Sequence, residues 1–187
     1  VIQRWHPLYE LESVVIVVGE NFVTANDMVI ETVLGSCIAV CLRDPLMKIA
    51  GMNHFLLPGD PSTSGTSGRY GVNAMEQLLN AMMALGANRF RIEAKVFGGG
   101  NIDVAASSKL RIGDMNTEFV MNFLQVEGIP VISCDVGGNA GRRIVFFAHK
   151  GNVKLRRLGR SESISAESQD RASSEVITLR KPDLTLF

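Results

Sequence analysis

The chain has 187 residues, 46% hydrophobic and 20% charged, which fits one domain whose core needs no disulfide or metal staple. Nineteen Lys and Arg balance nineteen Asp and Glu, so the strong positive field of a general nucleic-acid binder is excluded. Three scattered cysteines, Cys37, Cys41 and Cys134, form neither a disulfide framework nor a paired zinc spacing and point to a reducing cytoplasm.

The longest aliphatic run, Val14 to Val18, is far too short to span a bilayer. The first seven residues lack a basic region followed by an apolar stretch, so no direct membrane insertion is expected. Ser13–Val18, Met28–Val33, Ser36–Leu42 and Lys48–Leu57 read as strands, rich in Val and Ile and separated by Gly, Asn, Asp and Pro. They lie too close together for crossover helices, and this favours hairpin pairing. Pro61 to Gly71 is small and polar, the composition of an exposed loop. Val72, Met75, Leu78, Leu79, Met82 and Leu85 then follow helical spacing up to Gly86.

Ile92–Phe97 reads as a strand running into Gly98-Gly99-Gly100. Phe119, Val120, Phe123 and Leu124 mark a second helix ending near Gly128. Ile129–Asp135, Arg143–His149 and Val153–Leu158 are further strands, the last two joined by a turn at Lys150-Gly151-Asn152. The predicted fold is α/β (α+β), a sandwich of mixed, largely antiparallel sheets with flanking helices. Residues 1–158 form the domain. Residues 159–187 form a polar tail with little to bury, whose apolar patches at Val176–Leu179 and Leu184–Phe187 are available to dock on the domain or on a partner.

Charge is uneven along the chain. Residues 142–160 carry seven basic residues and no acid, offering a docking surface for an acidic protein or a solvated strand face partly covered by the tail.

Chemistry centres on Leu34-Gly35-Ser36-Cys37. A nucleophilic cysteine needs access, a low pKa and nearby backbone donors for an oxyanion, and Gly35 and Ser36 leave room for both substrate and inward-facing amides. A lone cysteine among apolar residues is more often simply buried. Of the three histidines, His54 stands at the end of the strand after that of Cys37, so a hairpin turning at Asp44-Pro45 brings the two to one end. Its alternative reading is a structural histidine. Cys41 shares the Cys37 strand face and reads as packing. Cys37, Cys41 and His54 lack a fourth ligand at zinc spacing, so no metal is expected. The glycine runs at 98–100 and 137–141 match no phosphate-loop pattern and are read as tight turns or close backbone approaches. Glu31, if beside the thiolate, would raise its pKa by repulsion.

Four blocks of the sequence, Thr32–Pro45, Asn53–Pro58, Lys95–Asn101 and Asp135–Arg142, resemble in order the bacterial chemoreceptor glutamine deamidase family, CheD. The resemblance covers about residues 13–158. It implies a cysteine hydrolase that converts glutamines of methyl-accepting chemotaxis receptors to glutamates without a cofactor. Cys37 matches the family nucleophile, His54 the base and Thr32 the third catalytic residue. The implied partners are the receptors' cytoplasmic helices and, for some members, a CheC-type phosphatase of the response regulator. The competing reading is an interaction module that binds such a phosphatase or a receptor without essential catalysis.

Overall fold

The computed structural model describes residues 1–57, 64–102 and 111–179, with the side chains of 64–68 and 174–179 left out. Among the described residues ten strands form two five-stranded sheets. The first has the order β1 (Ile2–His6), β2 (Leu11–Val15), β4 (Met28–Leu34), β9 (Arg142–Phe147), β10 (Val153–Arg157). The second has the order β3 (Asn21–Thr24), β6 (Ile49–Phe55), β5 (Ile38–Asp44), β7 (Glu93–Gly98), β8 (Val131–Val136). The predicted mixed, largely antiparallel sandwich with flanking helices is the observed fold.

Alternation along β4 and β5 builds two cores. Ile30, Leu34, Cys37, Ala39 and Cys41 meet Met52, Phe97, Ile144 and Phe146 between the sheets. Ile38, Val40 and Leu42 face the other way, against Met75, Leu78 and Met82 of α1 (Ser64–Ala84) and Val120 and Leu124 of α2 (Ile112–Val126). Sandwiched on both faces, β6 is buried along its whole length.

The β5–β6 hairpin pairs as expected, with Ala39 opposite His54. Hairpin pairing fails between β4 and β5, which belong to different sheets, and between β2 and β4, which lie parallel. Between them the chain crosses to the second sheet to form β3, which supplies the crossover without a helix. Two strands were missed because β1 and β3 carry mixed, mostly exposed or half-buried residues with no clear alternation.

The expected loop at 61–71 is corrected from residue 64 onward, which is already helical. Its small polar residues lack the apolar spacing by which the rest of α1 was found; Pro61 to Thr63 lie outside the described residues.

The tail differs most from expectation. Arg160–Leu179 form a 20-residue helix, α3, packed across the end of β4. Its buried stripe is Ser163, Ala166, Glu167 and Asp170, which has helical spacing but is polar, so hydrophobic periodicity did not reveal it. The side chains of Val176–Leu179 and the whole of Leu184–Phe187 lie outside the described residues. Among the described residues no helix is long and apolar enough to cross a membrane.

Candidate active site

Cys37 lies just before β5, in a loop whose carbonyls at Gly35, Ser36 and Cys37 are all hydrogen-bonded. Gly99 N–H donates to Cys37 O at 2.8 Å and Gly100 N–H to Gly35 O at 3.0 Å. Asn116 Nδ2 donates to Ser36 O at 2.9 Å. The glycine run at 98–100 therefore braces the cysteine loop. Gly98 has φ +113°, and a Cβ there would collide with Cys37 O, so only glycine permits this approach.

Asn116, fully buried in the first turns of α2, also accepts from Leu57 N–H at 2.8 Å. One side chain thus ties the cysteine loop to the segment that follows His54. Sequence reading missed it because an isolated Asn carries no spacing signal.

His54 comes from the second sheet and Thr32 from the first. Thr32 Oγ1 donates its single proton to Ile16 O at 2.8 Å. Its 2.8 Å contact with His54 Nδ1 is therefore one in which the ring N–H donates. In the neutral ring this leaves Nε2 as the free base. Nε2 is buried and has no hydrogen-bond partner among the described residues.

Glu31 is not beside the thiol. It points to the other face of β4, where Arg4 Nη2 is 3.3 Å away and His6 Nε2 3.9 Å. The carboxylates at the site come from α3 instead. Glu167 accepts from Ser36 N–H at 2.7 Å and from Ser36 Oγ at 2.8 Å, and from Arg171 Nε at 2.9 Å. Asp170 Oδ2 accepts from Gly35 N–H at 3.3 Å, and its Oδ1 is 3.6 Å from His54 Nε2.

Under this cover Cys37 is fully buried. Burial pushes its thiol well up from the ordinary value; the Asp170 charge and hydrogen bond and the Glu167 charge push the same way, against a smaller opposing effect of Arg171. The sulfur of Cys37, a ring nitrogen of His54 and a carboxylate oxygen of Asp170 lie within 4.8 Å of one another, a three-ligand set that the sequence reading lacked.

A family model described as CheD chemotactic sensory transduction matches residues 56–157. The chain is 49% identical over 154 residues to the probable chemoreceptor glutamine deamidase CheD 1 of Shewanella oneidensis, covering 80% of this chain and 74% of that protein. It is 39% identical to the probable chemoreceptor glutamine deamidase CheD of Saccharophagus degradans over 100% of this chain and 90% of the relative. The chain belongs to the CheD family.

The matched part of the CheD model begins two residues after His54, so the grouping of Cys37, His54 and Thr32 rests on their geometry. The +7 segment is less open than its charge suggests. Arg142 is buried on Asp135 at 2.7 Å, Arg157 meets Asp135 at 2.6 Å, and Arg156 meets Glu162 of α3 at 3.0 Å. For Arg156, cover by the tail is the observed arrangement.

Proposed function

We propose that this CheD chain is a chemoreceptor glutamine deamidase acting in the cytoplasm on the helical signalling region of methyl-accepting receptors. Cys37 is the nucleophile, His54 the base and Thr32 the residue that orients His54. The observation that carries this reading is the Thr32–His54 contact, which leaves Nε2 without a partner among the described residues in a ring that has a nitrogen within 4.8 Å of the Cys37 sulfur.

In the reaction His54 Nε2 takes the Cys37 proton and the thiolate sulfur bonds to the side-chain carboxamide carbon of a glutamine. The carbonyl π pair moves onto oxygen, and the Gly35 and Ser36 N–H groups donate to that charge. The tetrahedral centre collapses, the C–N bond breaks, and the imidazolium gives its proton to the departing ammonia. Water then attacks the thioester with His54 as base, the C–S bond breaks, and glutamate and the thiol are restored. The net change is glutamine plus water to glutamate plus ammonia.

Mass spectrometry of a receptor cytoplasmic fragment incubated with wild-type protein and with Cys37→Ala tests the reading. Conversion of glutamine to glutamate that vanishes in Cys37→Ala supports it; equal conversion by both proteins refutes the role of Cys37. A CheC-type phosphatase belongs to the proposal as a second partner, and co-purification with this chain checks it.

A further inference from the structure

The two carboxylates of α3 sit on the two backbone amides that the proposed reaction needs. Asp170 has one oxygen on Gly35 N–H, the other 3.6 Å from His54 Nε2, and lies against the Cys37 thiol. A glutamine side chain poised for attack by Cys37 has to place its carboxamide there. Glu167, one turn earlier, fills the Ser36 N–H and hydroxyl. The approach is built for a helix. A Cβ on Gly35 would strike both the carboxylate and the main chain of Glu167, so glycine at that position lets a helical backbone come this close. Ser163 Oγ accepts from Gly141 N–H at 2.9 Å and extends the seat along the inter-strand turn.

The attachment of α3 is also of a releasable kind. Its buried stripe contains one apolar side chain, Ala166, among Ser163, Glu167 and Asp170. Among the described side chains of α3 no large hydrophobic one is buried, so what holds residues 160–173 is polar contact that water or another acceptor can replace. Arg156 fixes its first turn through exposed Glu162.

We infer that the surface under α3 is a helix-docking groove, that α3 is its intramolecular occupant, and that the external partner it fits is a helix presenting side-chain oxygen acceptors three residues apart. Asp170 and the Glu167 oxygen on Ser36 N–H stand where the target carboxamide goes, and the Glu167 oxygen on the Ser36 hydroxyl stands where a second acceptor of the partner helix goes. While α3 is seated, the thiol proton is directed to Asp170 instead of His54 and substrate has no path to sulfur. Docking of the partner helix displaces α3 and restores the Cys37–His54 pair. The inference rests on the proposed deamidase for the meaning of the groove, but its test does not use deamidation.

The test is thiol alkylation by iodoacetamide at pH 8 on the 187-residue chain, followed by peptide mass spectrometry. In Glu167→Ala/Asp170→Ala, Cys37 should react at least about tenfold faster than in wild type, because the rate scales with the open fraction, while Cys41 stays protected. An unchanged or slower Cys37 rate in the folded variant overturns the inference. A measurement on the wild type alone guards against a variant that does not fold. Under native conditions Cys37 should label at least about tenfold faster than Cys41, since release of α3 exposes the first and only wider unfolding exposes the second. Equal labelling rates for the two refute a separately releasing helix. Fast Cys37 labelling together with no receptor conversion would sink the deamidase reading and leave the groove standing; conversion with equal labelling would do the reverse.

Discussion

Thr32 Oγ1 and His54 Nδ1 lie 2.8 Å apart across the interface of the two sheets. The same hydroxyl is committed to Ile16 O, so the contact fixes the ring tautomer as well as its position. Both side chains are buried, and neither can find water as a substitute partner. In the proposed reaction this leaves Nε2 as the ring nitrogen that takes the proton.

Removing the hydroxyl should therefore cost rate more than affinity. Thr32→Val keeps the shape but leaves Nδ1–H and Ile16 O unsatisfied. The expected loss in kcat is roughly tenfold to a hundredfold, part of what a well-placed general base supplies, with KM little changed. Thr32→Ser should recover most of it. Steady-state ammonia release from a receptor fragment measures both, and a Thr32→Val enzyme with wild-type kcat would remove Thr32 from the mechanism.

The hairpin that carries Cys37 and His54 was legible because β5 and β6 are short, nearly continuous apolar runs on either side of a turn marked by Asp44-Pro45. Asn116 and the two carboxylates of α3 were not legible. Each does its work through tertiary hydrogen bonds that a polar side chain reports only once its neighbours are known. Helix α3 was hidden for a related reason, since its inner face is Ser163, Ala166, Glu167 and Asp170, and a polar stripe is indistinguishable in sequence from a solvated one. The concern raised by Glu31 had the right physics and the wrong residue. Strand alternation turns Glu31 outward, while carboxylates far along the chain raise the thiol pKa.

Asn116 should behave as a positioning residue for the amide donors. Asn116→Asp retains the acceptor for Leu57 N–H but turns a carboxylate oxygen toward Ser36 O. Repulsion there shifts the Gly35–Ser36 amides, and loss of one well-aligned oxyanion donor costs roughly 10²–10³ in rate; a partial shift should cost at least about tenfold in kcat. Asn116→Ala leaves both buried backbone groups unpaired and should lower stability by about 2–4 kcal/mol. Urea unfolding together with kcat separates the two effects, and a fully active Asn116→Asp would show that the loop holds its shape without this clamp.

The far end of the same hairpin depends on Asp44. Its buried carboxylate accepts from Leu46 N–H, Met47 N–H, Asn88 N–H and both Nε and Nη2 of Arg91. The Arg91 hydrogen bonds, chiefly, hold this carboxyl well below the usual carboxylate range. With the folded pKa depressed, the stabilisation is present above the unfolded value of about 3.9 and is lost as pH falls below it. Asp44→Asn should unfold at lower urea at pH 6 and show a smaller drop between pH 6 and pH 3 than wild type. Equal acid sensitivity of the two proteins would contradict the assignment.

At the alkaline side the sign reverses and the buried thiols govern. Burial raises the Cys41 thiol, and burial with the Asp170 carboxylate raises that of Cys37. A thiol that ionises near pH 8.5 when unfolded but stays protonated when folded stabilises the native state fully below that pH. Above it the unfolded chain binds fewer protons, so stability falls by about 1.4 kcal/mol per pH unit for each such thiol. Two thiols predict a combined slope near 2.7 kcal/mol per unit, read as a falling urea midpoint from pH 9 to 10. Cys41→Ala should remove about half of that slope. Glu167→Ala/Asp170→Ala should reduce the remainder, because it uncovers Cys37 and takes away the carboxylates that keep its proton in place. A slope indifferent to the α3 substitutions would mean that the sheets alone shield the thiol, and the helix would then have no hold on its ionisation.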